Sequence, residues 1–165
     1  MISIVIPVYN SADTLLDSYE SVLKSGVEDQ EIIFVDDGST DNSLNLIASI
    51  QEQNPNAILL RNQENLGGGA TRNRGVKYAK HSIIFILDSD DILAPEALKA
   101  ALKELIESGV DAIATSKSVL FTTSISQPTS VIPYKTGLVV FEDLVSHAPT
   151  SATINLLFYK KAFED

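Results

Sequence analysis

The chain has 165 residues, 44% of them apolar and 21% charged, with no cysteine and a formal net charge of −10. This is the size of one domain and the composition of a folded globular protein, and the missing cysteine excludes a disulfide framework, a thiolate nucleophile and a cysteine-based zinc site. The negative charge argues against nucleic acid or an anionic membrane surface as a main partner, so any phosphate has to be met locally, by a divalent cation or by backbone N–H groups at a helix start.

In chain order, SIVIPV (Ser3 to Val8, with Ile2 before it) is a β-branched run that leads into a helical pattern with Leu15, Leu16, Tyr19, Val22 and Leu23 on one face. EIIFVD (Glu31 to Asp36) leads through DGST into a second helix bearing Leu44, Ile47 and Ile50, with Ser39 or Thr40 as its N-cap. AILLR (Ala57 to Arg61) passes through a glycine-rich turn into a third helix, roughly Ala70 to Lys80. SIIFILD follows, then Pro95 at a first helical position and a helix carrying Leu98, Leu102, Leu105 and Ile106 that stops at Gly109. Beyond it DAIATS reads as a fifth strand, TTSISQPTSVIPYKTG is turn-rich, and LVVFEDLV and INLLFYKKAF are short pieces of ambiguous type.

Near-continuous apolar strands alternating with helices predict an α/β fold, doubly wound, with a mostly parallel sheet covered by helices on both faces. The expected division is 1–92 as a nucleotide-binding half and 93–165 as the start of a second, incomplete half. No apolar run approaches the roughly 18 to 20 residues that cross a bilayer, and MISIVIP lacks a basic region and a cleavage site. The expected location is cytoplasmic, with membrane association only through parts absent from this chain.

Ligands of such sheets sit at the carboxyl ends of the strands. The chemistry-bearing residues fall there: Pro7, Tyr9 and Asn10 after the first strand, Asp36 and Asp37 after the second, Asn65 to Gly69 after the third, and Asp88 and Asp90 after the fourth. On an extended strand end Asp88 and Asp90 share a face while Ser89 and Asp91 point elsewhere; two carboxylates on one face can hold a hard divalent cation that bridges to a diphosphate, and Asp91 goes to the turn. The same residues also suit a solvated acidic turn entering a helix, with Glu96 near the helix start. Asp36-Asp37-Gly38-Ser39-Thr40 suits a turn and cap, or a carboxylate that accepts a nucleobase imide N–H. Gly67-Gly68-Gly69 lets backbone approach a ligand while Arg72 contacts phosphate or ribose. Without Gly-Lys-Ser/Thr it is not a P-loop, and its place after the third strand fails the dinucleotide fingerprint. Arg74, Lys77 and Lys80 read as a solvated helix face, Phe34 and Phe85 as core, and His81 and His147 as isolated.

Taken together, SIVIPVYN, IIFVDDGSTDNS, ENLGGGATRNRG and FILDSDDILAPEAL resemble, in order, the signature of family 2 glycosyltransferases with the GT-A fold. The resemblance covers about Ile2 to Leu98, and Thr71 stands where the family usually has Ala. It implies a Rossmann-like nucleotide-binding half and a UDP-sugar donor. Asp90 would ligate Mn²⁺ or Mg²⁺, and Asp88 would hold the ribose or a metal-bound water. Asp37 would read the uracil ring, Pro7, Val8 and Tyr9 would line the base pocket, and Asn65, Gly67, Arg72 and Ser89 would lie along the nucleotide-sugar. The implied chemistry is inverting transfer to an acceptor hydroxyl of a glycan, lipid-linked or protein acceptor, assisted by a carboxylate base. In the family that base lies downstream of a segment resembling NLLFYKKAF. Glu164-Asp165 read as the ragged end of a truncated piece, Asp111, Glu142 and Asp143 are undistinguished, and the base stays unassigned.

Two other readings remain. The chain could bind the nucleotide-sugar without efficient transfer, and the apolar surface left by a missing acceptor half would then favour self-association. A hydrophobic strand followed by Asp-x-Asp also opens the haloacid dehalogenase phosphatase pattern, with Asp88 as nucleophile.

Overall fold

A computed structural model describes residues 1–114, 117–121, 128–133 and 156–164, with side chains for 1–112 and 156–163. By contact the chain divides into Met1–Ile113 with Asn155–Asp165, and Ala114–Ile154. That division lies elsewhere than the functional one expected near Leu93.

The first unit is built on a sheet of six strands: β1 (Ile2–Val8), β2 (Gln30–Asp36), β3 (Ala57–Arg61), β4 (Ile83–Ile86), β5 (Ala112–Ala114) and β8 (Leu156–Tyr159). Their order is β3-β2-β1-β4-β8-β5. β3, β2, β1 and β4 are mutually parallel, while β8 runs antiparallel to β4, pairing Ile84 with Phe158. The helices are α1 (Leu15–Leu23), α2 (Ser43–Gln53), α3 (Gly68–Tyr78), α4 (Ala97–Ser108) and the short α5 (Lys161–Glu164). In the second unit, β6 (Lys117–Phe121) and β7 (Pro128–Pro133) form an antiparallel pair. INLLFYKKAF thus contains a strand and the start of a helix, and β7 falls inside the stretch read as turn-rich. Glu142, Asp143 and His147 lie outside the described residues.

Strand periodicity decides which side chains meet which helix. Ile2, Ile4, Ile6 and Val8 point to one face, where they pack with Leu15, Tyr19 and Val22 of α1, Ile47 and Ile50 of α2, and Leu98 and Leu105 of α4. Val5, Ile33, Val35 and Ile84 point to the other, against Val76 of α3, Ala79 and Phe158. Phe34 and Phe85 are fully buried. The sheet is therefore covered on both faces. α3 lies close on β1 and β2 because Gly75 has no side chain: a Cβ there would clash with Val5 Cγ1.

Several local expectations are corrected. Leu16 and Leu23 on α1 and Ile106 on α4 are exposed, so the buried stripes are narrower than the apolar pattern. α2 is preceded by Asn42, because Ser39 and Thr40 are engaged in the loop before it. Pro95 lies before the helix start, and Glu96 at φ 60° separates it from α4. Gly109, at φ 69°, ends α4 as expected.

Candidate functional site

The strand order turns at β1 and β4: the chain builds outward from β1 through β2 to β3, then returns to place β4 on β1's other side. At such a switch point the loops leaving the two strands diverge and open a crevice at their carboxyl ends. Here the crevice is a cleft of about 490 Å³ lined by Pro7 to Ser11, Asp13, Thr14, Asp37, Asn65, Gly68, Thr71, Arg72 and Asp88 to Asp90.

Asp37 leaves the end of β2, and its N–H donates to the Val8 carbonyl at 2.8 Å. Its carboxylate is buried, with Oδ1 accepting from Asn62 Nδ2 at 2.7 Å and Leu66 N–H at 2.9 Å, and Oδ2 accepting from Gly67 N–H at 2.9 Å. Burial would raise its pKa, but hydrogen bonds from the Asn62 side chain and the N–H groups of Leu66 and Gly67 outweigh it and hold the carboxyl below its ordinary value. Asp37 therefore organises the glycine turn in addition to lining the cleft. Gly67, at φ 85°, turns the chain into α3, and Asn65 Oδ1 also accepts its N–H. Thr71 is buried, and its hydroxyl donates to the Gly67 carbonyl. Neighbouring Asp36 serves the loop instead, receiving Ser39 N–H at 3.3 Å and lying 3.6 Å from Arg61 Nε.

The rim that carries Tyr9 is clamped to the loop after β2. Asn10, left-handed at φ 50°, donates its N–H to Ser39 Oγ, and its Oδ1 accepts from Thr40 N–H at 2.8 Å and Asp41 N–H at 3.3 Å. Ser11 N–H donates to Ser43 Oγ, and Ala12 N–H to Asp41 Oδ2. Asn tolerates this backbone region better than most residues.

β4 ends at Ile86, and Asp88 to Asp91 form a turn in which Asp91 N–H donates to the Asp88 carbonyl at 3.0 Å. The alternation expected of a continuing strand is lost. Ser89 lines the cleft beside Asp88 and Asp90, with its Oγ 2.7 Å from Ser11 Oγ. Asp88 is gripped by Arg72: Nε reaches Oδ1 at 3.2 Å, and Nη2 reaches Oδ1 at 2.6 Å and Oδ2 at 2.7 Å. Asp90 is exposed and has no hydrogen bond or ion pair among the described residues.

The residues that the family resemblance assigns to the nucleotide-sugar all line the cleft except Gly67, which acts through its N–H on Asp37; Asp36 and Gly69 do not line it. Arg74, Lys77 and Lys80 are exposed, as expected of a solvated face, but Arg74 also donates to the Arg61 carbonyl at 2.7 Å and to Asn62 Oδ1. The backbone N–H of Lys80 donates to Glu31 Oε2 at 3.0 Å, at the opposite end of the sheet. Asn62, Asp41 and Thr14 were not singled out by sequence. The signal for Asn62 was a polar residue directly after an apolar strand.

Asp13, Asp37, Asp88 and Asp90 against Arg72 give the cleft lining an excess of negative charge. No group of three or more His, Cys, Asp or Glu able to hold a metal occurs among the described residues. The donor set nevertheless suits Mg²⁺ or Mn²⁺, since such ions take one or two carboxylates and complete their shell with phosphate oxygens and water.

The family model for glycosyl transferase family 2 matches residues 3–145. The chain belongs to that family. It is 38% identical over 114 residues to glycosyltransferase GlyG of Streptococcus pneumoniae, an alignment covering 68% of this chain and 38% of GlyG. It superposes on S. aureus TarS 1–349 with a TM-score of 0.75 at 24% identity, covering 99% of this chain and 48% of TarS. Against the TarS complex with UDP-GlcNAc the TM-score is 0.67 at 26% identity, covering 76% and 37%. Mannosyltransferase PcManGT of Pyrobaculum calidifontis, in complex with GDP-Man and Mn²⁺, gives 0.66 at 23% identity, covering 71% and 35%. The fold is that of GT-A glycosyltransferases, and the chain spans less than half the length of these relatives. Membership sets aside the haloacid dehalogenase reading, and here both oxygens of Asp88 are engaged by Arg72.

Proposed function

We propose that this chain is the donor-binding part of an inverting, metal-assisted glycosyltransferase that uses a UDP-sugar. The observation that carries the reading is the single cleft shared by Asp37, a buried acceptor-only carboxylate, and Asp90, a carboxylate with no partner among the described residues. The first suits a base bearing an imide N–H, such as uracil, and the second suits a cation bound to the diphosphate. In an acidic cleft a diphosphate is repelled unless its charge is offset, so cation and nucleotide belong together. A cation bound here would neutralise the departing diphosphate as the bond to the anomeric carbon breaks. Pro7, Val8 and Tyr9 would hold the base, Asn65 and the Gly67–Gly68 turn the ribose side, and Arg72 and Ser89 the diphosphate side. The family's relatives in complex with UDP-GlcNAc and with GDP-Man and Mn²⁺ support the substrate class.

Thermal unfolding with UDP, GDP, CDP or ADP, each with and without Mn²⁺, tests the reading. UDP with Mn²⁺ should raise the melting temperature most, because ligands that bind only the folded state stabilise it by mass action. Equal shifts for all four nucleotides, or none, would overturn it.

A further inference from the structure

We propose that Arg72 is a positioning residue that keeps Asp88 in an internal ion pair, so that this cleft binds a divalent cation tightly only together with a diphosphate. The inference rests on the reading of the cleft as a nucleotide-sugar site. Arg72 uses three hydrogen bonds of 2.6 to 3.2 Å to occupy both oxygens of Asp88, whose side chain is 14% exposed. A guanidinium in that position repels an incoming dication and leaves Asp90 as the adjoining carboxylate without a partner among the described residues. One carboxylate falls short of the six or more oxygens such an ion takes. A diphosphate changes both terms. It supplies oxygens to the cation, and it presents the guanidinium with a bidentate partner as good as the carboxylate it leaves. Asp88 is then released to ribose, water or cation.

The backbone of the turn is held whether or not the pair forms. Asp91 N–H donates to the Asp88 carbonyl at 3.0 Å, Ser18 Oγ donates to it at 3.3 Å, and Ser89 Oγ lies 2.7 Å from Ser11 Oγ. Arg72 therefore acts on the carboxylate rather than on the loop. Gly68 offers an independent handle. A Cβ there would fall 2.7 Å from Arg72 Nη1, so Gly68→Ala pushes the guanidinium from its seat; it adds no left-handed strain.

The experiment is a titration of the free protein with MnCl2, followed by electron paramagnetic resonance, for the wild type, Arg72→Gln, Arg72→Lys, Gly68→Ala and the double variant Arg72→Gln/Asp88→Asn. Without nucleotide, Arg72→Gln should bind Mn²⁺ on the order of tenfold more tightly than the wild type, from loss of the repelling charge. Gly68→Ala should move the same way by less, Arg72→Lys should fall between, and the double variant should return toward the wild type. Adding UDP should raise Mn²⁺ affinity by a larger factor in the wild type than in Arg72→Gln. Equal or weaker nucleotide-free binding in Arg72→Gln and Gly68→Ala, or tight binding retained in the double variant, would overturn the proposal. If UDP fails to bind the wild type with Mn²⁺, the functional reading falls, while the nucleotide-free comparison still decides the role of Arg72.

Discussion

Replacing Asp37 by Asn keeps the shape of the side chain and changes what it can accept. The carboxylate receives three N–H groups at 2.7 to 2.9 Å in a buried position. Asn can keep its one oxygen toward Asn62 and Leu66, but its NH2 then faces the Gly67 N–H, a donor against a donor. Gly67 retains its second acceptor, Asn65 Oδ1, so the loss is one charge-assisted bond, the weakening of two others, and one buried NH2 left without a partner. Together these cost about 2 kcal/mol, or about 4 to 8 °C in melting temperature for a domain of this size. Because the folded-state pKa of Asp37 is depressed, the stabilisation it gives is fully present above the unfolded value and is lost as pH falls through the folded one. The gap between wild type and variant, followed by circular dichroism melts across pH, should hold at neutral pH and narrow below about pH 4. A gap below about 1 °C at neutral pH, or one that widens in acid, would refute the reasoning.

Gly75→Ala should destabilise the fold by about 1 to 3 kcal/mol, because the new methyl overpacks against Val5 and lies 3.0 Å from Val35 Cγ2. It should also weaken UDP binding, since it displaces the helix that carries Arg72. Gly69→Ala, on the same helix with nothing within 4 Å, should instead stabilise by about 0.5 to 1 kcal/mol, and denaturant melts of the two separate packing from propensity. Asn10→Gly keeps the left-handed backbone but removes the acceptor for Thr40 and Asp41 N–H. It should cost about 1 kcal/mol, with Asn10→Ala costing about 1 to 2 kcal/mol more in backbone strain. Both should lower UDP affinity through the rim that carries Tyr9, as read by calorimetry.

The first four strands were legible because parallel, doubly covered strands are written as unbroken apolar runs, and the cleft was legible because its residues follow those runs directly. Pro7, Tyr9, Asn10, Asp37, Asn65, Asp88 and Asp90 were all found in that way. What escaped were pairings across loops. Arg72 and Asp88 are 16 positions apart on different elements, and nothing in local pattern says that a helix-borne guanidinium reaches that turn. Ser89 was assigned away from the cleft by extending strand alternation past Ile86, where the chain had already turned. Arg74 is exposed, as its pattern predicts, but its hydrogen bonds to the Arg61 carbonyl and to Asn62, at and just after the end of β3, are not visible in that pattern. β8 was ambiguous for the same reason: four residues pair antiparallel with a strand some 70 positions earlier, a relation set by tertiary contact rather than periodicity.

Calorimetric titration of UDP into the wild type and Asp90→Ala, each with and without Mn²⁺, tests most directly the claim that nucleotide and cation share this cleft. The expected result is binding by the wild type that strengthens on the order of tenfold or more with Mn²⁺, and binding by Asp90→Ala that gains little from it. An equal gain from Mn²⁺ in both proteins would contradict the account.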